Sequence, residues 1–91
     1  MLTYNKYVEN LIDRITMEPG KCGGKPCIRG MRIRVIDILD LMAAGMDKPQ
    51  VLEELHDLEP LDIDAAVLFA RKRVEHTVLT VPDQEIHDRL A

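Results

Sequence analysis

The residues of this chain best suited to chemistry are five cations in a glycine-rich stretch, residues 20–35, with the sequence GKCGGKPCIRGMRIRV. Four of the five glycines of the chain lie here, and a backbone so rich in glycine turns sharply and lets another molecule approach closely. Polar and apolar residues alternate from Arg32 to Val35, which predicts a half-buried strand. The stretch therefore predicts a turn-rich β-element whose cations are Lys21, Lys25, Arg29, Arg32 and Arg34.

Cations of this kind bind phosphates or carboxylates. We predict that Arg29, Arg32 and Arg34 form a row on one face of the strand, about 7 Å apart, which is near the spacing of phosphates along a nucleic-acid strand. A second basic cluster comes near the end of a predicted helix, where the helix dipole also favours cations. Its members are Arg71, Lys72 and Arg73. We interpret both groups as candidate contacts to DNA or to a protein partner.

Residue types that support catalysis are missing or poorly spaced. The chain contains no serine. Cys22 and Cys27 lie far in sequence from any histidine, which is poor spacing for zinc or for a Cys/His nucleophile. Glu53, Glu54 and Asp57 fit a solvated helix face better than a metal site. We predict no enzymatic activity, no catalytic residue, no metal and no cofactor; an enzyme or metal protein that uses these thiols or acids remains an open alternative.

Charge is segregated along the chain. The net charge is −4 at pH 7, yet residues 14–34 carry a net +5 and residues 37–64 a net −8. Such asymmetry can steer two partners to two faces, or drive two copies together. With a small core that contains few aromatic residues, it predicts a homo-oligomer, a dimer. The sequence shows neither a membrane-spanning run nor a secretory leader, so we expect a cytoplasmic protein with no membrane contact.

The elements that must position these residues follow from apolar spacing and turn residues. Apolar positions from Tyr4 to Ile15 predict an amphipathic helix over residues 4–14, and residues 15–17 predict a short strand. Residues 25–35 predict a hairpin that folds at Arg29-Gly30. Pro26 belongs at the edge of this hairpin, because proline cannot donate to a ladder.

Three short helices are predicted after the β-element. The first covers residues 36–44 and ends at Gly45. The second starts at Asp47, which forms a capping box with Gln50, and ends at Pro60. The third covers residues 63–76 with Asp62 as its N-cap. Its predicted buried stripe is Ile63, Ala66, Val67, Ala70 and Val74.

This order predicts an α+β protein, mainly α, in which a small N-terminal β-hairpin precedes three helices with helix-turn-helix spacing. The same spacing occurs in DNA-binding domains and in compact helical domains generally. The third helix begins with acidic and apolar residues, which phosphates would repel. If the chain binds DNA, we therefore expect the β-element to make most of the contacts.

The run over residues 14–35, RIT-x-x-P-G-x-x-GGKP-x-IRG-x-RI-x-V, closely resembles the domain-of-unknown-function 433 (DUF433) family of small bacterial and archaeal proteins. The resemblance continues through the helical residues and covers about residues 12–76. It implies a homeodomain-like three-helix unit with a small β-hairpin, residues 15–77. An N-terminal helix, residues 1–14, precedes this core, and a C-terminal tail, residues 78–91, follows it.

Members of this family are commonly regarded as antitoxins encoded beside a PIN-like nuclease toxin. The resemblance thus implies a non-catalytic antitoxin of a type II toxin–antitoxin pair, which neutralises the toxin by direct binding and also binds operator DNA. The tail has no match in the family, and we interpret its apolar positions as partner contacts: Val78, Leu79, Val81, Ile86 and Leu90. The alternative is a protein-interaction or dimerisation module with no nucleic-acid role.

Overall fold

The structure is a computed structural model that describes residues 9–76. Residues 9–12 are helical, which agrees with the predicted N-terminal helix; its residues 4–8 lie outside the described part. The elements that follow are β1 (Ile15–Thr16), a 3-10 turn (Cys22–Gly24), β2 (Cys27–Ile28), α1 (Val35–Ala43), α2 (Lys48–Glu54) and α3 (Pro60–Glu75). The protein is therefore α+β and mainly helical, with a two-stranded antiparallel sheet near its N-terminus, which confirms the predicted class.

The β-element consists of two short strands and a tight turn. Ile15 of β1 lies opposite Ile28 of β2 in antiparallel register. The chain then turns at Arg29-Gly30, where φ is 44° and 71°, and the N–H of Met31 donates to the carbonyl of Ile28 at 2.8 Å. Positive φ at both central residues is the type I′ combination found in tight hairpins. The predicted turn position is confirmed.

The return arm of this hairpin is mostly not a strand. Arg34 forms an isolated bridge with Cys27, and the N–H of Ile28 donates to the carbonyl of Ile33 at 2.9 Å. The N–H of Val35 donates to the carbonyl of Pro26 at 3.0 Å, so Pro26 pairs without needing a donor of its own. The predicted strand from Arg32 to Val35 is wrong, because α1 already begins at Val35.

Helix α1 ends as its sequence predicts. Gly45 has a φ of 101°, and its N–H donates to the carbonyl of Met42 at 3.0 Å. The N–H of Met46 donates to the carbonyl of Leu41 at 3.2 Å. These two bonds make a Schellman motif, which requires a left-handed residue after the helix and so favours glycine.

Helix α2 begins with the predicted capping box but ends early. The N–H of Gln50 donates to Asp47 Oδ1 at 3.0 Å, and the N–H of Asp47 donates to Gln50 Oε1 at 2.8 Å. The helix stops at Glu54, and Pro60 is the first residue of α3. The prediction that Pro60 ends the second helix is wrong, because proline at a first helical position loses no hydrogen bond.

Helix α3 is longer at its start than predicted. Glu59, not Asp62, is its N-cap residue. Asp62 lies at the third helical position, and its Oδ2 accepts from the N–H of Glu59 at 2.8 Å. The carboxylate thus satisfies a donor of the helix N-terminus from inside the helix, as the acidic residue of a capping box does.

The core lies between the β-element and the three helices. Its buried members are Ile28, Val35, Ile38, Val51, Leu58, Ile63 and Ala66. The predicted stripe of α3 is buried only in its first half: Val67 is 41% exposed and Val74 73% exposed. No helix within residues 9–76 is long and apolar enough to cross a membrane. A helix-turn-helix role for α2 and α3 stays a prediction.

Candidate functional site

One buried carboxylate holds two arginines at one end of the strand pair. The side chain of Asp62 is fully buried. Arg29 makes a bidentate contact with it, Nε to Oδ1 at 3.0 Å and Nη2 to Oδ2 at 2.8 Å. Arg14 Nη1 donates to Asp62 Oδ1 at 2.9 Å and to Glu59 Oε1 at 2.8 Å. We call these four residues the Asp62 cluster. Because Ile15 pairs with Ile28, Arg14 and Arg29 lie at the same end of the strand pair, and the cluster ties that end to the first turn of α3.

Asp62 and its two arginines stay ionised at neutral pH. Burial alone would raise the pKa of Asp62, but hydrogen bonds from Arg29, from the N–H of Glu59 and from Arg14 outweigh burial and lower it. Hydrogen bonds to Glu59 and Asp62 raise the pKa of Arg14, and the bond to Asp62 raises that of Arg29. Since each charge is already paired, the geometry is that of a structural ion network.

Two more predicted contact residues also have partners within the chain. Arg34 Nη2 lies 2.7 Å from Asp37 Oδ1, and this hydrogen bond lowers the pKa of Asp37. Lys21 Nζ donates to the carbonyl of Gly30 and lies 3.7 Å from Glu18 Oε2.

The predicted row of guanidinium groups is therefore wrong. No strand runs from Arg29 to Arg34, and Arg29 lies three positions before Arg32, so even a strand would place these two on opposite faces. In addition, Arg29 and Arg34 face carboxylates of the helices rather than a common surface.

The remaining predicted cations lie at the surface. Lys25 and Arg32 are exposed and make no ion pair with any residue from 9 to 76. Arg71 Nη1 lies 3.6 Å from Glu75 Oε1, and the guanidinium of Arg73 lies 5.2 Å from the centre of the Phe69 ring. Lys72 is half-buried. That any of these side chains bind a partner stays a prediction. The predicted tail contacts Val78, Leu79, Val81, Ile86 and Leu90 lie outside the described residues.

An apolar groove runs between α1 and α3, and we call it the α1–α3 groove. Its volume is about 450 Å³. Leu39, Phe69 and Ala70 are half-buried in its lining. Ile36 and Val74 also line it, although they are 46% and 73% exposed. Its cationic members are Lys25 and Arg73. The fold thus brings one cation from each predicted basic group to the same apolar surface.

This groove could not be predicted from the apolar stripe of α3, because a periodic stripe gives no information on which of its members pack against another element. The available signal was length. Helix α3 has 16 residues, whereas α1 has 9 and α2 has 7, so the last turns of α3 extend past the helices that cover its start. The apolar stripe continues into this uncovered part as Ala70 and Val74.

The thiols and acids considered for catalysis are placed as follows. Cys27 is buried, and burial, followed by the neighbouring thiol of Cys22, raises its pKa. Such a thiol is a poor nucleophile at neutral pH. Glu53 and Glu54 are exposed on α2, and Asp57 follows the end of that helix. Within residues 9–76 there is no group of three or more His, Cys, Asp or Glu side chains that could hold a metal ion.

Comparisons with known proteins agree with the motif over residues 14–35. The family model described as "Protein of unknown function (DUF433)" matches residues 15–70. A crystal structure of a DUF433 member protein from Anabaena variabilis ATCC 29413, at 2.00 Å resolution, is similar, with 29% sequence identity and a TM-score of 0.65. The similarity covers 80% of this chain and 72% of that chain. A comparison with curated proteins gives no match. Because the family model covers more than half of the chain, including both strands, α1, α2 and most of α3, the chain belongs to the DUF433 family.

Proposed function

We propose that this chain is a non-catalytic antitoxin that neutralises a PIN-like nuclease toxin by direct binding, and that the α1–α3 groove is part of the binding surface. The observation that carries the proposal is the exposure of Ile36 and Val74 beside a groove lined by further apolar side chains. Contiguous exposed apolar surface of this kind marks interaction sites on soluble proteins. The resemblance of residues 14–35 to the family supports the choice of a nuclease as the partner.

The state of the titratable groups supports a non-catalytic role. Shifted pKa values often mark catalytic groups. Here, within residues 9–76, the shifted carboxylates are Asp37 and Asp62, and each is held by arginine in an ion pair. The shifted thiol, Cys27, is buried. These groups are committed to the fold rather than presented to a substrate.

Operator DNA is a second candidate ligand. The observation that favours it is the exposure of Lys25 and Arg32, which make no ion pair with the described residues. Each phosphate that such a cation neutralises adds about 0.9 to the slope of log affinity against log salt. Binding of the protein to its own upstream DNA should therefore weaken as salt rises. Arg32→Ala should make this fall shallower, reducing the magnitude of the slope by about 1. An affinity that does not change with salt would remove the DNA proposal.

The antitoxin proposal is tested by co-expression with the product of the neighbouring gene. We expect the two proteins to copurify, and growth arrest caused by the neighbour to be relieved. Val74→Gln removes an exposed apolar side chain but keeps a good helix former. It should lower the affinity for the neighbour's product about tenfold, because burying a valine contributes on the order of 1.5 kcal/mol. Less of the neighbour's product should then copurify.

The matched control is Met17→Gln, which changes a side chain that is also exposed, at 53%, but does not line the groove. This variant should copurify like the parent. If the parent chain neither binds its neighbour nor relieves the arrest, the antitoxin proposal fails. If Val74→Gln converts a dimer of this chain into a monomer and no nuclease binds, the dimerisation module is the correct function.

A further inference from the structure

We infer that the α1–α3 groove receives an acidic amphipathic helix of the nuclease partner. The apolar side of that helix would lie against the groove, and its carboxylates would face Lys25 at the rim of the groove. This inference rests on the proposed function, because it specifies which part of the partner the same surface recognises.

The lining of the groove favours a helix over an extended peptide. Its central residues belong to two helices: Leu39 comes from α1, and Phe69 and Ala70 come from α3. A surface made of helix side chains offers no row of free backbone donors and acceptors. An extended peptide would bury its own N–H and C=O groups there without partners. A helix satisfies those groups internally and presents apolar side chains at i, i+3, i+4 and i+7.

The exposure of the walls favours a macromolecule over a small ligand. Small-molecule sites enclose most of the ligand surface. Here the two aliphatic walls, Ile36 and Val74, are 46% and 73% exposed, so the groove is open along its length. A helix lying across it would cover both walls at once, which a small ligand in the groove would not do.

Charge selects the chemistry of the partner. Among residues 9–76, the charged members of the lining are Lys25 and Arg73, and no acidic residue of this range lines the groove. Arg73 already has a contact in the Phe69 ring, so the charge requirement rests on Lys25, which is exposed and makes no ion pair within residues 9–76. Complementary charge at the rim of an interface favours the correct partner and repels like charge. Acidic side chains beside the apolar stripe of the partner helix would meet this requirement.

Helix α2 of a second copy fits the groove less well. The exposed acids Glu53 and Glu54 belong to α2, whose own apolar side chain Val51 is fully buried in the core. Among residues 9–76, α2 therefore offers acids without an exposed apolar stripe. The chain's own tail after α3, which also contains acids, is a competing occupant that the experiment must distinguish.

The test is site-specific photocrosslinking in the complex of the full chain with its neighbour's product. Ile36 is replaced by p-benzoyl-phenylalanine, and Met17, exposed but outside the groove, is replaced in a separate control protein. We expect position 36, and not position 17, to crosslink to one partner peptide. That peptide should carry apolar residues at helical spacing flanked by Asp or Glu.

Three outcomes would overturn the inference. The complex could form and relieve growth arrest but give no partner crosslink from position 36. The antitoxin role would then be supported, and the groove would be excluded as the binding surface for the partner helix. Crosslinks from position 36 to a second copy, or to residues 78–91 of the same chain, assign the groove to that occupant instead. If no complex forms at all, the proposed function fails and the inference fails with it.

The charge requirement is tested separately with Lys25. Lys25→Gln should weaken the complex about threefold and Lys25→Glu at least tenfold in low salt, because the second change places like charges together. At about 1 M salt, where charges more than roughly 3 Å apart are screened, both variants should approach the parent affinity. An equal loss at low and high salt would mean that Lys25 acts by packing, and an acidic partner would be excluded.

Discussion

Arg29 combines an unfavourable backbone with a favourable side chain. Its φ of 44° lies in the left-handed region, which costs a residue with a Cβ about 1–2 kcal/mol. Its guanidinium makes a bidentate contact with buried Asp62, one of the stronger hydrogen-bonded pairs in proteins. The ion pair therefore accounts for an arginine at a turn position where glycine or asparagine would be more usual.

This balance predicts the order of two variants. Arg29→Ala and Arg29→Gly both lose the contacts to Asp62, but only glycine adopts the left-handed backbone without steric cost. We expect Arg29→Ala to lower the free energy of unfolding by about 1 kcal/mol more than Arg29→Gly does. Urea unfolding of the two proteins measures the difference. A glycine variant that is the less stable of the two would contradict our account of the turn.

At the scale of elements, local capping residues fix where α1 ends and α2 begins. Gly45 terminates α1 through the Schellman motif, and Asp47 starts α2 two residues later through its bond with Gln50. The two caps share one short turn, so they also fix how α2 leaves α1. Both were predictable because they depend on neighbouring residues in sequence.

Gly45→Ala tests the first of these caps. Alanine at a φ of 101° is strained, so we expect a loss of about 1 kcal/mol and a melting temperature lower by roughly 4–8 °C. Gly20→Ala is the matched control, because Gly20 has no positive φ and no atom within 4 Å of its added Cβ. In thermal unfolding followed by circular dichroism, the control should have the same melting temperature as the parent protein. Equal effects of the two changes would show that the Gly45 backbone does not limit stability.

The predictions that failed at this scale involve residues with two possible roles. Pro60 can follow one helix or begin the next, and the sequence does not distinguish the two until Glu59 is known to be the N-cap. An aspartate such as Asp62 can cap a helix either as the N-cap residue or from the third helical position. The alternation from Arg32 to Val35 suits a strand, but the side chain of Asp37 accepts from the N–H of Arg34 and starts a helix instead.

At the scale of the whole molecule, the partners of the charged residues follow from tertiary contacts. Arg29 and Arg14 reach Asp62 across 33 and 48 residues. The sequence showed that basic and acidic segments are separated, but it could not show that they meet within one chain. This explains why the fold class was predictable while the candidate site was not: Lys25 and Arg73 were singled out, but the groove that joins them depends on helix packing.

The ion pairs predict how stability depends on pH. The pKa values of Asp62 and Asp37 are lower in the folded protein than in the unfolded chain, so their contribution is fully present above the ordinary aspartate pKa of about 3.9 and is lost as pH falls through the folded values. Asp62→Asn leaves two arginines without their buried partner and should cost about 3 kcal/mol at pH 7.

The measurement is the urea midpoint of the parent and of Asp62→Asn between pH 7 and pH 2.5. The parent should lose stability below about pH 4, and the variant, already weakened, should lose less. Glu53→Gln, a change at an exposed position on α2, should follow the parent at every pH. Parallel curves for the parent and Asp62→Asn would show that the Asp62 cluster does not govern acid unfolding.

The Asp62 cluster also has a consequence for how the protein folds. Each strand has only two residues, and a lone two-stranded sheet of that size is marginal in water. Because one carboxylate of α3 holds both the residue before β1 and the residue after β2, we expect the strands and the start of α3 to form and open together as one cooperative unit. A shortened polypeptide that stops after α1 would thus lose its strand pair as well as its last two helices, although every residue of the two strands would still be present.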